Sequence, residues 1–192
     1  LIDTYRPLSE MPLFAKAGTI LPLAADAMAD ADVNPTALVL YVAGGADGAF
    51  TLVEDNGKSG ESRVTTRTAF GFTFGEDSTL TFTAVGGAGI PDARTYTLRM
   101  AAVERPTRIY AEVGGEVREL TFDYDEIKHE AIATVGTVKA GDKVCIHVLS
   151  SGKLPENELK QTAFRLLADA QYDHGAKETL YGIFTSNRTL VN

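Results

Sequence analysis

Short strand-like segments, separated by turn residues, run through most of this chain and constrain its fold more than any other feature. Residues 37–43 are apolar at every position, a pattern typical of a strand that is buried on both faces. Residues 44–48 have the composition of a turn, and residues 49–53 are expected to pair back as a hairpin. Further strands are predicted at 62–74, 79–85, 95–100, 108–113, 117–124, 131–135 and 144–149. This many short strands at regular spacing predicts a β-sandwich.

The segment before these strands has a weaker pattern. Residues 12–23 predict two short strands bent at Gly18, and residues 24–36, which end in Asn34-Pro35, predict a loop. Three residues of the first segment are expected in the core: Phe14, Ile20 and Leu21.

The last part of the chain changes to a helical period. Apolar residues follow the spacing i, i+4, i+7, i+8 and i+11 on one helix face: Leu159, Ala163, Leu166, Leu167 and Ala170. A second short helix is predicted over 177–184, with Leu180, Ile183 and Phe184 buried. The predicted fold class is therefore mainly β, an antiparallel β-sandwich with a C-terminal α-helical hairpin.

Charge and composition exclude several classes of function. The 192 residues carry a net charge of −8, which argues against nucleic acid or an anionic membrane as a partner. No apolar run approaches the roughly 20 residues of a membrane span. The chain starts without a signal peptide or an initiator Met, so we expect it to be a piece of something longer. Its single cysteine, Cys145, excludes an internal disulfide and favours a cytoplasmic location.

The three histidines and the cysteine are the first candidates for chemistry. His129, His147 and His174 lie far apart in the sequence. Cys145 and His147 could form a metal pair on one strand face, but no third or fourth ligand has matching spacing. A half-buried strand histidine is the favoured interpretation. No basic cluster or helix start near Cys145 supports a reactive thiolate.

Other catalytic patterns are absent from the sequence. It contains no Gly-x-Ser-x-Gly elbow, phosphate-cradling loop or His-Glu-x-x-His motif. The glycine-rich stretch 86–89 is followed by Ile90-Pro91, which stops any helix and excludes a dinucleotide site. The acidic stretch 123–126 is interpreted as a turn. We therefore expect no metal, no cofactor and no cofactor-binding residue.

Residues 54–57, Glu-Asp-Asn-Gly, raise three alternatives: a calcium loop, part of a carboxylate active site, or a tight turn. A calcium loop spaces its oxygen ligands, whereas these are contiguous and the next acid is Glu61. Glu54 and Asp55 are adjacent on a strand and point to opposite faces, so they cannot form a glycosidase pair by themselves. Asn56-Gly57 is a strong turn dipeptide. The stretch is interpreted as the end of a hairpin strand.

Two stretches resemble a known family. Residues 11–23, MPLFAKAGTILPL, resemble the Ile-Pro-Val-Phe-Val-Arg-Ala-Gly-(Ala/Gly)-Ile-Ile-Pro segment of glycoside hydrolase family 31. Residues 40–57, LYVAGGADGAFTLVEDNG, resemble its strand, Asp-Gly turn, strand and Leu-Tyr-Glu-Asp-Asp-Gly. The resemblance covers residues 1 to 103 well and is weaker over 104–150. The family comprises α-glucosidases, α-xylosidases and relatives.

The resemblance implies a place in a larger enzyme. Family members have a catalytic (β/α)₈ barrel followed by proximal and distal C-terminal β-domains. Residues 1–35 would then be the end of the proximal domain, 36–150 the distal β-sandwich domain, and 151–192 a C-terminal helical segment. The implied partners are the barrel and the proximal domain of the parent chain, with self-association as a further possibility.

The chain also departs from the family pattern. Val53 replaces the family's Tyr, and Asn56 replaces its second Asp. The family nucleophile lies in an Asp-Met-Asn-Glu type motif, and none of Met11, Met28 and Met100 belongs to one. No catalytic residue can be carried over. We expect this fragment to be inactive and the parent to hydrolyse α-glucosides or α-xylosides.

The expected function is that of a non-catalytic accessory domain with a stabilising or oligomerising role. One alternative is a carbohydrate-binding module, which usually stacks sugars on aromatic rings. The chain has no Trp, seven Tyr and nine Phe, and only Tyr110, Tyr124 and Tyr172 have patterns typical of exposed rings. The other alternative, an unrelated Ig-like interaction module, does not account for the 11–23 segment.

Overall fold

The computed structural model describes residues 11, 13–26, 33–87, 89–156 and 159–186. The remaining residues, which include parts of the predicted first domain and of the predicted loop at 24–36, lie outside this description. The chain divides into two compact units, 1–154 and 155–192, which are described in turn. The predicted boundaries at residues 35 and 150 stay predictions.

The first unit contains two β-sheets. The five-stranded sheet has the spatial order β1 (Ile20–Ala24), β2 (Ala37–Ala43), β6 (Ala93–Ala101), β10 (Glu130–Lys139) and β9 (Phe122–Asp125). The six-stranded sheet has the order β3 (Gly48–Asp55), β4 (Thr65–Thr73), β5 (Asp77–Thr83), β11 (Lys143–Leu149), β7 (Arg108–Val113) and β8 (Glu116–Leu120). Neighbouring strands are antiparallel except β2 and β6, which are parallel. The predicted β-sandwich is confirmed.

One hydrophobic core lies between the sheets. Alternate residues of each strand point inward, as the period of a strand requires, and Leu40, Leu98 and Ile146 are 0–1% exposed. The ring of Phe82 in β5 lies 4.9 Å from that of Phe70 and 5.0 Å from that of Tyr96 in β6. Because Phe82 and Tyr96 belong to different sheets, this aromatic contact connects the two layers.

The predicted hairpin of residues 37–43 with 49–53 is wrong, because β2 and β3 lie in different sheets and β3 pairs with β4 instead. The sandwich departs from the predicted strands in three further places. The predicted strand 117–124 is two strands, β8 and β9, because the chain crosses from one sheet to the other at Thr121. The outer face of β2 is half-buried, not buried. Only the second half of segment 12–23 forms a strand, because the chain turns at Gly18, which has φ +80° and donates from its N–H to the Ala43 carbonyl at 2.8 Å.

This turn also corrects the predicted N-terminal core. Ile20 is buried at 2% exposure, as predicted, since it directly follows the turn and pairs with Val42. Phe14 precedes the turn and is 77% exposed, and Leu21 points to the other side of β1 and is 40% exposed. The prediction of a core position was wrong for these two residues.

The second unit is a pair of helices, α1 (Leu159–Asp169) and α2 (His174–Ser186), as predicted. The Phe164 and Tyr181 rings meet edge to face at 5.7 Å, and Lys177 Nζ donates to the Ala168 carbonyl at 2.8 Å. Leu180, Ile183 and Phe184 were predicted to be buried, but Leu180 and Ile183 are 46% and 58% exposed and Phe184 is only half-buried. In the described part of the chain, neither helix is long and apolar enough to cross a membrane.

Candidate functional site

The Glu-Asp-Asn-Gly motif begins at the end of β3 with a buried ion pair. Glu54 accepts two hydrogen bonds from the Arg94 guanidinium, at 2.7 and 2.8 Å. The two side chains are 8% and 3% exposed. Since β3 and β6 belong to different sheets, this bidentate pair connects the two layers of the sandwich. Arg94 Nε is buried and has no hydrogen-bond partner.

Asp55 points the other way and caps the turn. Its Oδ1 accepts from the Gly57 N–H at 2.8 Å, and its Oδ2 accepts from Arg63 at 2.6 and 3.0 Å. The hydrogen bond from Gly57, followed by that from Arg63, lowers the pKa of the Asp55 carboxyl. Glu54 and Asp55 thus have separate partners, as the alternation of a strand predicts.

Asn56 organises the loop that follows. Its Oδ1 accepts from the Val64 N–H at 3.1 Å and the Lys58 N–H at 3.3 Å, and its Nδ2 donates to the Ser62 carbonyl at 2.9 Å. Gly57 adopts φ +67°, which suits glycine. The motif therefore consists of an inter-sheet ion pair followed by a capped turn, which matches the interpretation of residues 54–57 as the end of a strand.

A second group of polar side chains lies on the outer face of the six-stranded sheet. The Cys145 Sγ lies 3.2 Å from His147 Nε2, and His147 Nδ1 lies 3.0 Å from the Asp77 carboxylate. Cys145 and His147 share a face of β11 because they are two residues apart, as predicted. Asp77 comes from β5. Burial, then the carboxylates of Glu112 and Asp77, raise the pKa of the Cys145 thiol.

Tyr110 completes this row of side chains. Its ring stacks on the His147 imidazole at 4.4 Å with an interplanar angle of 2°. Arg108, which is paired with Glu119 of β8, lies 4.4 Å from the centre of the same ring. The Tyr110 ring is therefore in contact with two side chains of the sheet, one of which stacks on its face.

The remaining predicted candidates are separate from these two groups. The Tyr124 hydroxyl donates to the Val103 carbonyl at 2.9 Å and lies 3.2 Å from His129 Nδ1. His174 lies 3.4 Å from Glu178 on α2, and Tyr172 is 68% exposed.

The acidic and glycine-rich stretches can also be placed. In the acidic stretch 123–126, Asp125 accepts from the backbone of Ile127 and Lys128, as a turn requires. In the stretch 86–89, Gly87 bridges to Ile90, and Ala88 lies outside the described residues. Across the described ranges, no group of three or more His, Cys, Asp and Glu side chains is arranged to hold a metal ion.

No protein-family model and no curated protein sequence matches the chain. Solved structures do. A dextranase of glycoside hydrolase family 31 from Flavobacterium johnsoniae, complexed with isomaltotriose, is similar over 71% of this chain, with 17% identity and a TM-score of 0.55. This chain has the fold of part of a family 31 enzyme.

A second solved structure is similar over a comparable share of the chain. An uncharacterized protein from Listeria monocytogenes, complexed with glucose, magnesium and calcium, is similar over 79% of the chain, with 16% identity and a TM-score of 0.52. The chain spans 19% of the dextranase and 14% of the Listeria protein. The similarity therefore concerns a minor portion of each of these larger proteins.

Proposed function

We propose that this chain is a non-catalytic accessory β-domain of a family 31 α-glycosidase, with a stabilising or oligomerising role. The observation that carries the proposal is the agreement between motif and fold. The family-like residues 54–57 connect the two sheets through Glu54 and close a turn through Asp55 and Asn56, in a fold similar to part of a family 31 dextranase. Contacts of this kind give the motif a structural role within the domain.

The implied partners are the catalytic barrel and the proximal β-domain of the parent chain. The small share of the dextranase that the chain spans, 19%, supports a role as one domain among several. The cytoplasmic location inferred from the single cysteine is part of the same proposal. Parent activity on α-glucosides or α-xylosides also belongs to the proposal.

The upstream sequence of the source gene tests this proposal directly. It should encode a (β/α)₈ barrel with an Asp-Met-Asn-Glu type motif in the same reading frame. The pure chain should show no turnover of p-nitrophenyl α-glucoside or α-xyloside above a blank, whereas the full-length parent should hydrolyse one of them. Turnover by the chain alone, or an upstream frame without a barrel, would contradict the proposal.

A carbohydrate-binding role receives no support from the ring geometry. Of the three candidate rings, Tyr110 contacts His147 and Arg108, Tyr124 has Arg105 4.9 Å from its centre, and Tyr172 is exposed. A single exposed ring gives little area on which a sugar can stack. Calorimetric titration with maltose, isomaltose and starch should therefore give no dissociation constant tighter than about 1 mM. Tighter binding would favour the binding-module alternative.

A further inference from the structure

The row of side chains on the outer face of β11 has a geometry that the accessory-domain role does not use. His147 Nδ1 lies 3.0 Å from both Asp77 carboxylate oxygens, so the Nδ1 hydrogen is directed to Asp77. In the neutral imidazole this leaves a lone pair on Nε2, and Nε2 lies 3.2 Å from the Cys145 sulfur. A nitrogen and a sulfur that are both metal ligands thus face each other.

We propose that Cys145 Sγ and His147 Nε2 chelate a thiophilic divalent metal ion such as Zn²⁺, with Asp77 orienting the imidazole. Two ligand atoms on one tetrahedral zinc ion, with Zn–S near 2.3 Å and Zn–N near 2.1 Å, are about 3.6 Å apart. The observed 3.2 Å requires an opening of about 0.4 Å, which a small rotation of the Cys145 side chain supplies. A carboxylate on the second ring nitrogen is the usual support of a metal-bound histidine.

The ring of His147 is held in place before any ion binds. Tyr110 stacks on it at 4.4 Å, Asp77 holds Nδ1, and the side chain is only 14% exposed. A preorganised ligand loses little rotational freedom on binding. The site therefore needs less reordering than two free surface side chains would.

The charges around the thiol favour a bound cation over a nucleophilic role for Cys145. Glu112 is directly opposite Cys145 in the pairing of β11 with β7, and the Asp77 carboxylate lies 3.0 Å from Nδ1 of the adjacent His147. Carboxylates that disfavour a bare thiolate stabilise a thiolate whose charge is neutralised by a metal ion. A Cys-His-Asp nucleophile would need the opposite field.

A depression beside the thiol leaves room for solvent ligands on the Cys145 side of the pair. It has a volume of about 720 Å³, and its lining includes Cys145, Glu112, Lys143, Gly71 and Thr81. The opposite position of Glu112 on the neighbouring strand places a negative charge beside the thiol, but among the described residues no third protein ligand is arranged around the pair. Water can occupy the remaining positions.

Cobalt titration of the metal-free chain tests the proposal. Co²⁺ should produce a thiolate-to-cobalt charge-transfer band that saturates near one ion per chain and is displaced by Zn²⁺. Cys145→Ser and His147→Ala should each abolish the band, and Asp77→Asn should weaken binding roughly 10–100-fold. His129→Ala and His174→Ala are matched controls and should leave the titration unchanged.

A second measurement needs no variant. Cys145 is the single cysteine, so alkylation by iodoacetamide reports on this thiol alone. Zn²⁺ should slow alkylation of the wild-type chain, and Mg²⁺ at the same concentration should not. An absent cobalt band, a band that survives His147→Ala, or alkylation that is indifferent to Zn²⁺ would overturn the proposal.

Discussion

The sandwich and the helical hairpin of this chain bury their apolar residues in very different ways. In the sandwich, both sheets contribute to a closed core, and residues such as Leu40, Val42 and Ala111 have no exposed surface. In the hairpin, α2 has no buried residue, and Leu166 of α1 is 68% exposed. The sandwich therefore has an internal source of stability, whereas the helices have an apolar face that is not covered within their own unit.

The largest expected effect comes from breaking the buried ion pair between the sheets. Glu54→Gln leaves the Arg94 guanidinium buried without a counter-charge, and removal of one partner of such a pair costs about 3–5 kcal/mol of unfolding free energy. Urea unfolding followed by circular dichroism measures the change. The double variant Glu54→Leu/Arg94→Met should recover most of the loss. The exposed Glu61→Gln is the control, and an equal loss there would contradict the account.

A matched pair of leucine variants compares the two units directly. Leu98→Ala empties a site that is 1% exposed and should lower the unfolding free energy by about 2–5 kcal/mol. Leu166→Ala makes the same chemical change at a site that is 68% exposed and should shift it by less than about 0.5 kcal/mol. Equal losses in urea unfolding would mean that Leu166 is covered in solution.

Local patterns in the sequence predicted the elements well. The strand expected at 108–113 is β7, Arg108–Val113, because alternation and flanking turn residues are properties of neighbouring positions. The crossing at Thr121 was missed because a change of sheet leaves the apolar pattern of 117–124 continuous. The exposure of Leu180 was missed because periodicity identifies an apolar face without identifying what covers it.

The contacts of the two polar groups, residues 54–57 and the row around His147, could also be predicted only where they join residues close in sequence. The turn at Asn56-Gly57 and the shared face of Cys145 and His147 follow from residues close in sequence. Arg94 lies 40 positions from Glu54, and Asp77 lies 70 positions from His147. Only the strand order brings these partners together, so single-sequence reasoning had no signal for them.

Acid should weaken the sandwich through its capped turns. Hydrogen bonds from Gly57 and Arg63 lower the pKa of Asp55, and those from the Lys128 and Ile127 N–H groups lower the pKa of Asp125. A carboxyl whose folded pKa is lowered stabilises the fold above its unfolded pKa of 3.8, and that contribution is lost as the pH falls through the folded value. The urea midpoint should therefore fall as the pH is lowered below about 4.

The double variant Asp55→Asn/Asp125→Asn isolates this contribution. It should unfold more easily than the wild type near neutral pH and show a smaller further loss in acid, because it has no charge to lose at these turns. Asp169→Asn, at the exposed end of α1, should keep the wild-type acid profile. A double variant with the full acid-induced loss would assign it to other carboxyls.

The smallest effect on the sandwich is expected from removing the hairpin. A chain that ends at Leu154 retains the whole core cluster, whose members all lie between Ile20 and Val148, so its urea midpoint should match that of the full chain.

The self-association of the chain should change instead. Large exposed apolar patches are rare in stable monomers, so we expect the full chain to self-associate and the shortened chain to lose this tendency. Light scattering over a range of protein concentrations compares them. Association that survives the truncation would point to β1, an edge strand of its sheet with Leu21 and Leu23 exposed. If the full chain is strictly monomeric, the exposed apolar face of the helices is not covered by a second copy of this chain, and the expectation of self-association is wrong.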